Sequence, residues 1–217
     1  PQRTGVSQER GLLAEWPKEG PKLKWEIQNC GGGFSTPAVV GDRIYLLANE
    51  GLENEYVRAL AVKEGKQVWS TRIGKVGCPE QQPRFPAARS TPTVDGDWIY
   101  TLGSDGNLTC LAKSSGEIRW QKNLETDFQG RPGTWAYAES PLIDGQALIC
   151  TPGGTNATLV ALNKGTGELL WKCAVAGSGQ AAYSSAILIE AAGQKQYVQM
   201  LGKGLVGVST DGKLLWR

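Results

Sequence analysis

Histidine is absent from this chain of 217 residues, and methionine occurs once. The first absence removes the side chain that most often serves as general base and as zinc ligand. Five cysteines, Cys30, Cys78, Cys110, Cys150 and Cys173, show no C-x-x-C spacing that could take its place, so no metal site is expected. A nucleophile elbow and a paired-carboxylate phrase are also missing, and Asp127 and Glu139 stand as single acids without an evident partner. Runs of one charge are lacking too. The 23 basic and 21 acidic residues are spread along the chain and leave a net charge of +2, which argues against a nucleic-acid partner. No stretch reaches the roughly 18 apolar residues of a membrane-spanning helix. The chain opens at Pro1 without a charged-then-apolar leader. A start at proline indicates processing or trimming, so the missing leader does not fix the address.

Glycine is what the sequence has in excess, with 29 residues against a usual share of about 7%. So many turn formers at short intervals favour an all-β chain and leave little room for helices. Five tryptophans close similar phrases: Pro-Lys-Leu-Lys-Trp25, Gly-Lys-Gln-Val-Trp69, Gly-Glu-Ile-Arg-Trp120, Gly-Glu-Leu-Leu-Trp171 and Gly-Lys-Leu-Leu-Trp216. They lie 44, 51, 51 and 45 residues apart, the period of propeller blades of about 40 to 50 residues.

Each unit repeats one order of pieces. A small-residue phrase comes first: Ser35-Thr36-Pro37, Ser90-Thr91-Pro92, Glu139-Ser140-Pro141 and Ser184-Ser185-Ala186. An apolar strand A follows, then in the first three units a Gly/Asp hairpin turn and strand B at 44–48, 98–102 and 147–151. Strand C is expected at 57–62, 108–112, 159–162 and 205–208, and a glycine turn leads to strand D, which carries the tryptophan. Packing such sheets radially buries both faces of each, and a tryptophan on every D strand supplies on the order of 150 to 250 Å² of contact between neighbours. Trp25, Trp69, Trp120, Trp171 and Trp216 are therefore read as structural. The blades are expected near 28–70, 71–121, 122–172 and 173–217. Residues 1–21 form an N-terminal extension, and 22–27 an additional D strand without a blade of its own. Cys110 and Cys150 fall in strand-like runs and read as small core residues, whereas Cys30 and Cys78 are the candidates for a disulfide.

The phrase Ala59-Leu-Ala-Val-Lys-Glu-Gly65-Lys66-Gln-Val-Trp69 resembles the tryptophan-docking repeat A-x-D-x-x-T-G-K-x-x-W of quinoprotein-type, PQQ-like propellers, and 161–171 is similar. Gly5-Val6-Ser7, Gly11-Leu12-Leu13 and Trp16-Pro17 also look like the start of exported bacterial proteins with these repeats. The resemblance implies a β-propeller of four-stranded antiparallel blades, part of a seven- or eight-bladed ring, with a periplasmic or secreted place in the bacterial envelope. Two copies forming one ring, or a closed four-bladed ring, are lesser alternatives. The family holds quinone-dependent dehydrogenases and also non-catalytic members that serve outer-membrane assembly. This sequence departs from the motif's Asp, with Ala61, Ala112, Asn163 and Ser209 at that position. It also lacks the vicinal cysteine pair and any match to the calcium ligands and catalytic aspartate of the dehydrogenases.

Function is expected on the D-to-A connections, which gather on one face around the channel. Two are long: 74–89, with Cys78, Arg84, Phe85 and Arg89, and 125–139, with Asp127, Arg131, Trp135, Tyr137 and Glu139. The column before the small-residue phrase holds Phe34, Arg89, Ala138 and Tyr183, and it should ring the channel mouth. The partner-binding candidates are thus Phe34, Arg84, Phe85, Arg89, Arg131, Trp135, Tyr137, Glu139 and Tyr183. The competing view is that these loops only plug the channel, with Arg89 and Glu139 paired. The leading expectation is a non-catalytic scaffold that needs no cofactor and holds a protein or another macromolecule. A dehydrogenase-like enzyme using PQQ and calcium, whose remaining active-site residues lie outside this chain, and an assembly subunit that pairs through exposed blade edges, are the alternatives.

Overall fold

In a computed structural model, residues 6–78, 85 and 87–217 are described. They form four separate four-stranded antiparallel sheets, each with its strands in chain order from one edge to the other. Blade 1 consists of β1 (Ala38–Val40), β2 (Arg43–Glu50), β3 (Asn54–Ala61) and β4 (Gln67–Gly74). Blade 2 consists of β5 (Thr93–Asp95), β6 (Trp98–Leu102), β7 (Asn107–Ala112) and β8 (Ile118–Asn123). The five-residue helix α1 (Leu124–Phe128) follows it. Blade 3 is β9 (Leu142–Asp144), β10 (Ala147–Cys150), β11 (Leu159–Asn163) and β12 (Leu169–Cys173). Blade 4 is β13 (Ile187–Ala191), β14 (Gln194–Leu201), β15 (Gly204–Ser209) and β16 (Leu214–Trp216).

The hairpin turns explain the register. Val40 pairs with Arg43, so Gly41 and Asp42 alone form the loop. Gly41 has φ 59°, which is what the first position of a II′ hairpin turn requires and what glycine adopts without strain.

Between blades one joint recurs. The indole N–H of Trp69 donates to the Lys113 carbonyl of the next blade at 3.1 Å, that of Trp120 to Lys164 at 2.9 Å, and that of Trp171 to Thr210 at 3.0 Å. Each ring lies flush on the glycine of the neighbouring C–D turn. A Cβ built on Gly116 would stand 2.5 Å from Trp69, and one on Gly212 would stand 2.7 Å from Trp171. That glycine is therefore fixed twice, by a positive φ and by the indole above it. Buried side chains from facing sheets complete each interface: Leu47, Val57 and Ile73 meet Leu111, and Tyr100, Leu108 and Cys110 meet Leu148, Val160 and Leu162. Cys110 and Cys150 are fully buried, as their place in apolar strands indicates. Burial pushes the Cys110 thiol up to about 11 and that of Cys150 well above the ordinary range.

At the inner ends of the blades, the small-residue phrases link one blade to the next. Ser35 Oγ donates to the Ser90 carbonyl (2.7 Å), Thr93 Oγ1 donates to the Pro141 carbonyl (2.6 Å), and the Ser140 amide donates to Ser185 Oγ (2.8 Å). On the loop side a carboxylate bridges two blades. Glu55, 0% exposed, accepts from the Ser104 amide at 3.0 Å and from the Ser104 hydroxyl at 2.6 Å. Burial pushes its carboxyl up to about 7 despite those two hydrogen bonds, which pull it down, and Asp105 adds to the rise.

Several expectations are corrected. Residues 22–27 do not form a D strand. Among the described residues no strand C lies beside them to complete a ladder, yet Trp25 still donates its indole N–H to Val62 of blade 1 at 2.8 Å and covers Gly65. Trp216 meets no following blade among the described residues: its indole donates to Gln196 of its own sheet at 2.6 Å and lies on Gly207. No disulfide joins Cys30 and Cys78. The D strands also run one to four residues past the expected blade ends, to Gly74, Asn123 and Cys173. Helix α1 is an addition to the all-β expectation. Its signal was in the sequence, since Asn123 caps the amides of Glu125 and Thr126, and two acids lie in the first turn.

The degenerate motif position has a local effect. Asn163 Oδ1 accepts from the amides of Gly165 and Thr166, and Ser209 Oγ accepts from Lys213. Ala61 and Ala112 offer no such acceptor. Ala112→Asn is expected to restore the turn bonds of blade 2 and raise stability by about 0.5 to 1.5 kcal/mol. Urea unfolding of the variant measures this, and no gain would show that the blade 2 turn is already satisfied by its backbone.

Candidate functional site

Phe34, Arg89, Ala138 and Tyr183 hold one position relative to four successive blades, immediately before the phrase that starts the inner strand. Because the hydroxyl and amide bonds of those phrases draw the inner ends together, the four residues converge. With Phe85 and Trp135 they line a cavity of about 600 Å³ at the channel mouth. Backbone bonds set their positions. The Phe34 amide donates to the Ala88 carbonyl at 2.8 Å, and a tight turn from Gly133 to Ala136, closed at 2.9 Å, projects Trp135. Tyr183 packs on Gly133, where a Cβ would stand 2.7 Å from its hydroxyl, and its Oη accepts from the Trp135 amide at 3.2 Å.

The aromatic rings form a chain, with Phe85 6.3 Å from Phe34 and 6.1 Å from Trp135 between centroids. Arg89 sits within it. Its guanidinium carbon is 5.0 Å from the Phe34 centroid and 5.6 Å from that of Trp135, both within cation–π range. One terminal nitrogen donates to the Phe85 carbonyl at 2.8 Å. Partial burial pulls the guanidinium below its usual pKa, and Tyr183 partly offsets this. The rings remain open to solvent: Phe34 is 56% exposed, Phe85 49%, Tyr183 45% and Trp135 39%. No carboxylate, thiol or primary amine is among the described lining residues, and the arrangement can bind through rings and one cation.

The remaining candidates lie elsewhere. Tyr137 is 1% exposed and donates its hydroxyl to the Pro152 carbonyl at 2.9 Å. Glu139 is 2% exposed and accepts from the amide and the hydroxyl of Thr151. Both are therefore part of the wall beneath the mouth and are withdrawn from its surface. Arg131 opens onto a separate cavity of about 240 Å³, with Thr155, Ser178, Gln180 and Lys203. Asp127 accepts from the Asn123 amide at the start of α1. Arg84 lies outside the described residues. Sequence reasoning missed the Glu55–Ser104 bridge and the part Lys203 plays in the second cavity, since each reads as an ordinary polar turn residue.

A quinone cofactor with calcium needs acidic oxygen ligands around the ion. The channel wall below the mouth is lined by Ala38, Val39, Val40, Thr91, Pro92, Thr93, Val94, Ser140 and Ser185, and it offers neither an acid nor a cation. Above it, Glu139 is bound to Thr151 and Asp127 to the helix start. The residues present do not fit that group. Among the described residues no cluster of three His, Cys, Asp or Glu side chains forms, and no helix is long and apolar enough to cross a membrane.

A family model described as outer membrane protein assembly factor BamB matches residues 2–75 and 53–217. The factor of that name from Salmonella typhimurium is 28% identical over 141 residues, covering 64% of this chain and 31% of the relative. That from Escherichia coli is 31% identical over 123 residues, 56% of this chain and 28% of the relative. The chain thus spans about a third of the length of these relatives. Among solved structures, BamB from Moraxella catarrhalis superposes with a TM-score of 0.65 at 15% identity, over 89% of this chain and 54% of that one. Quinohemoprotein alcohol dehydrogenase from Comamonas testosteroni gives 0.64 at 17%, over 88% and 35%. Both likenesses speak to the propeller fold alone.

Proposed function

Because this chain belongs to the family of outer membrane protein assembly factor BamB, we propose that it is a non-catalytic scaffold of the cell envelope that holds another protein through its loop face. The observation that carries this reading is the mouth itself: four solvent-exposed aromatics gathered around one arginine, with no carboxylate or thiol among the described lining residues. Trp, Tyr and Arg dominate the residues that anchor protein interfaces, and backbone bonds between adjacent blades hold them in place before any partner arrives. The periplasmic address follows from the same family and is part of the proposal. The dehydrogenase alternative is not favoured, since the described channel-lining residues offer no ligands for its cofactor.

Photocrosslinking in the cell of origin tests the reading. A benzophenone amino acid at Trp135 should give discrete protein adducts, whereas the same probe at Asp97, in the A–B turn of blade 2, should give none. Adducts confined to Asp97, or absent from both sites, would remove the loop face as the binding surface.

A further inference from the structure

Arg89 holds unused hydrogen-bonding capacity at the centre of the aromatic ring. One donor of its guanidinium is given to the Phe85 carbonyl, and the others meet no acceptor among the described residues. Phe34 and Trp135 approach it from two directions, so much of the water that surrounds a surface arginine has already been displaced. A guanidinium held this way gains more from an anion than a hydrated one does, and its fork matches the two oxygens of a carboxylate. Arg89 is the one cation among the described lining residues. A single charge suits a monoanion, whereas a phosphate dianion calls for more than one. The exposed rings extend beyond what a lone small carboxylate can cover, and they offer apolar contact to its neighbours in a chain.

We infer that the mouth recognises a carboxylate side chain in an acidic peptide segment whose flanking residues are apolar, with Arg89 pairing the carboxylate and Phe34, Phe85, Trp135 and Tyr183 taking the flanks. The inference rests on the proposal that the loop face holds a protein, and it specifies what that protein presents.

Calorimetric titration with three short capped peptides tests it: one with glutamate between two phenylalanines, and its glutamine and lysine counterparts. The glutamate peptide is expected to bind about tenfold or more tightly than the glutamine one, to lose that advantage as salt is raised, and to leave the lysine peptide without measurable binding. In Arg89→Gln the glutamate and glutamine peptides should bind alike. Equal affinities on the unaltered protein overturn the inference, as does no binding by any peptide. A preference for glutamate that survives in Arg89→Gln also overturns it, and so does free glutarate binding as tightly as the peptide. The comparison on the unaltered protein decides even where the variant folds poorly. Adducts at Trp135 without discrimination between glutamate and glutamine would remove the carboxylate and keep the scaffold. Discrimination without adducts would remove the scaffold reading instead.

Discussion

Replacing Glu55 by glutamine should stabilise the protein by about 3 kcal/mol near pH 8 and change little near pH 4.5. Burial raises the Glu55 carboxyl from 4.5 to about 7, so between those values the folded chain keeps a proton that the unfolded chain has released. Stability therefore falls as pH climbs through that window, and the loss is complete above about 7. Below 4.5 both states are protonated and the group contributes nothing. Glutamine imitates the protonated acid: its carbonyl can accept from the Ser104 amide and its amide can donate to the Ser104 hydroxyl, without the cost of a charge between two blades. Urea unfolding of both proteins at several pH values checks this. The two curves should meet at low pH and separate as it rises. A gap that stays constant with pH would show that Glu55 does not titrate in this window.

Removing a tryptophan should have very different costs along the array. Trp120→Ala deletes a ring that covers Gly167, donates to Lys164 at 2.9 Å and lies 6.3 Å from the Tyr100 ring. A loss of about 3 kcal/mol is expected, because the facing sheets cannot close over the vacated space. Trp216→Ala removes a ring that is 40% exposed and bonded within its own sheet, so the expected loss is under about 1 kcal/mol. Parallel denaturation of the two variants measures the difference. Similar losses would show that the joint between blades adds nothing beyond the ring's own burial.

Much of the mouth was legible in the sequence. The Ser-Thr-Pro phrases fix where each inner strand begins, so the residue before each phrase has a known place, and Phe34, Arg89 and Tyr183 needed no further information. Glu139 shows what charge can conceal. It occupies the position of Ser35, Ser90 and Ser184, all of which meet strand B of their own blade: Ser35 accepts from Leu47, Ser90 donates to Leu102 and Ser184 donates to Met200. Glu139 meets Thr151 in the same way, so the alignment of phrases already pointed inward while the acid suggested a surface role. For Tyr137 the sequence held no such guide. Its burial depends on Gly106, Gly130 and Pro152, which the chain brings to it only after three loops have packed. Residues 22–27 were misread because a tryptophan phrase signals the joint, and a strand forms only where a neighbour supplies the ladder.

The joints also give the array a direction. The indoles of Trp69, Trp120 and Trp171 each reach forward onto the glycine turn of the following blade, so neighbouring blades join as plug and socket in one direction. Repeats that join heterologously can extend without limit unless they close or an end is blocked. Here Trp25 already occupies the Gly65 socket of blade 1. The short segment that failed to become a strand thus serves as a cap on the first socket of the array.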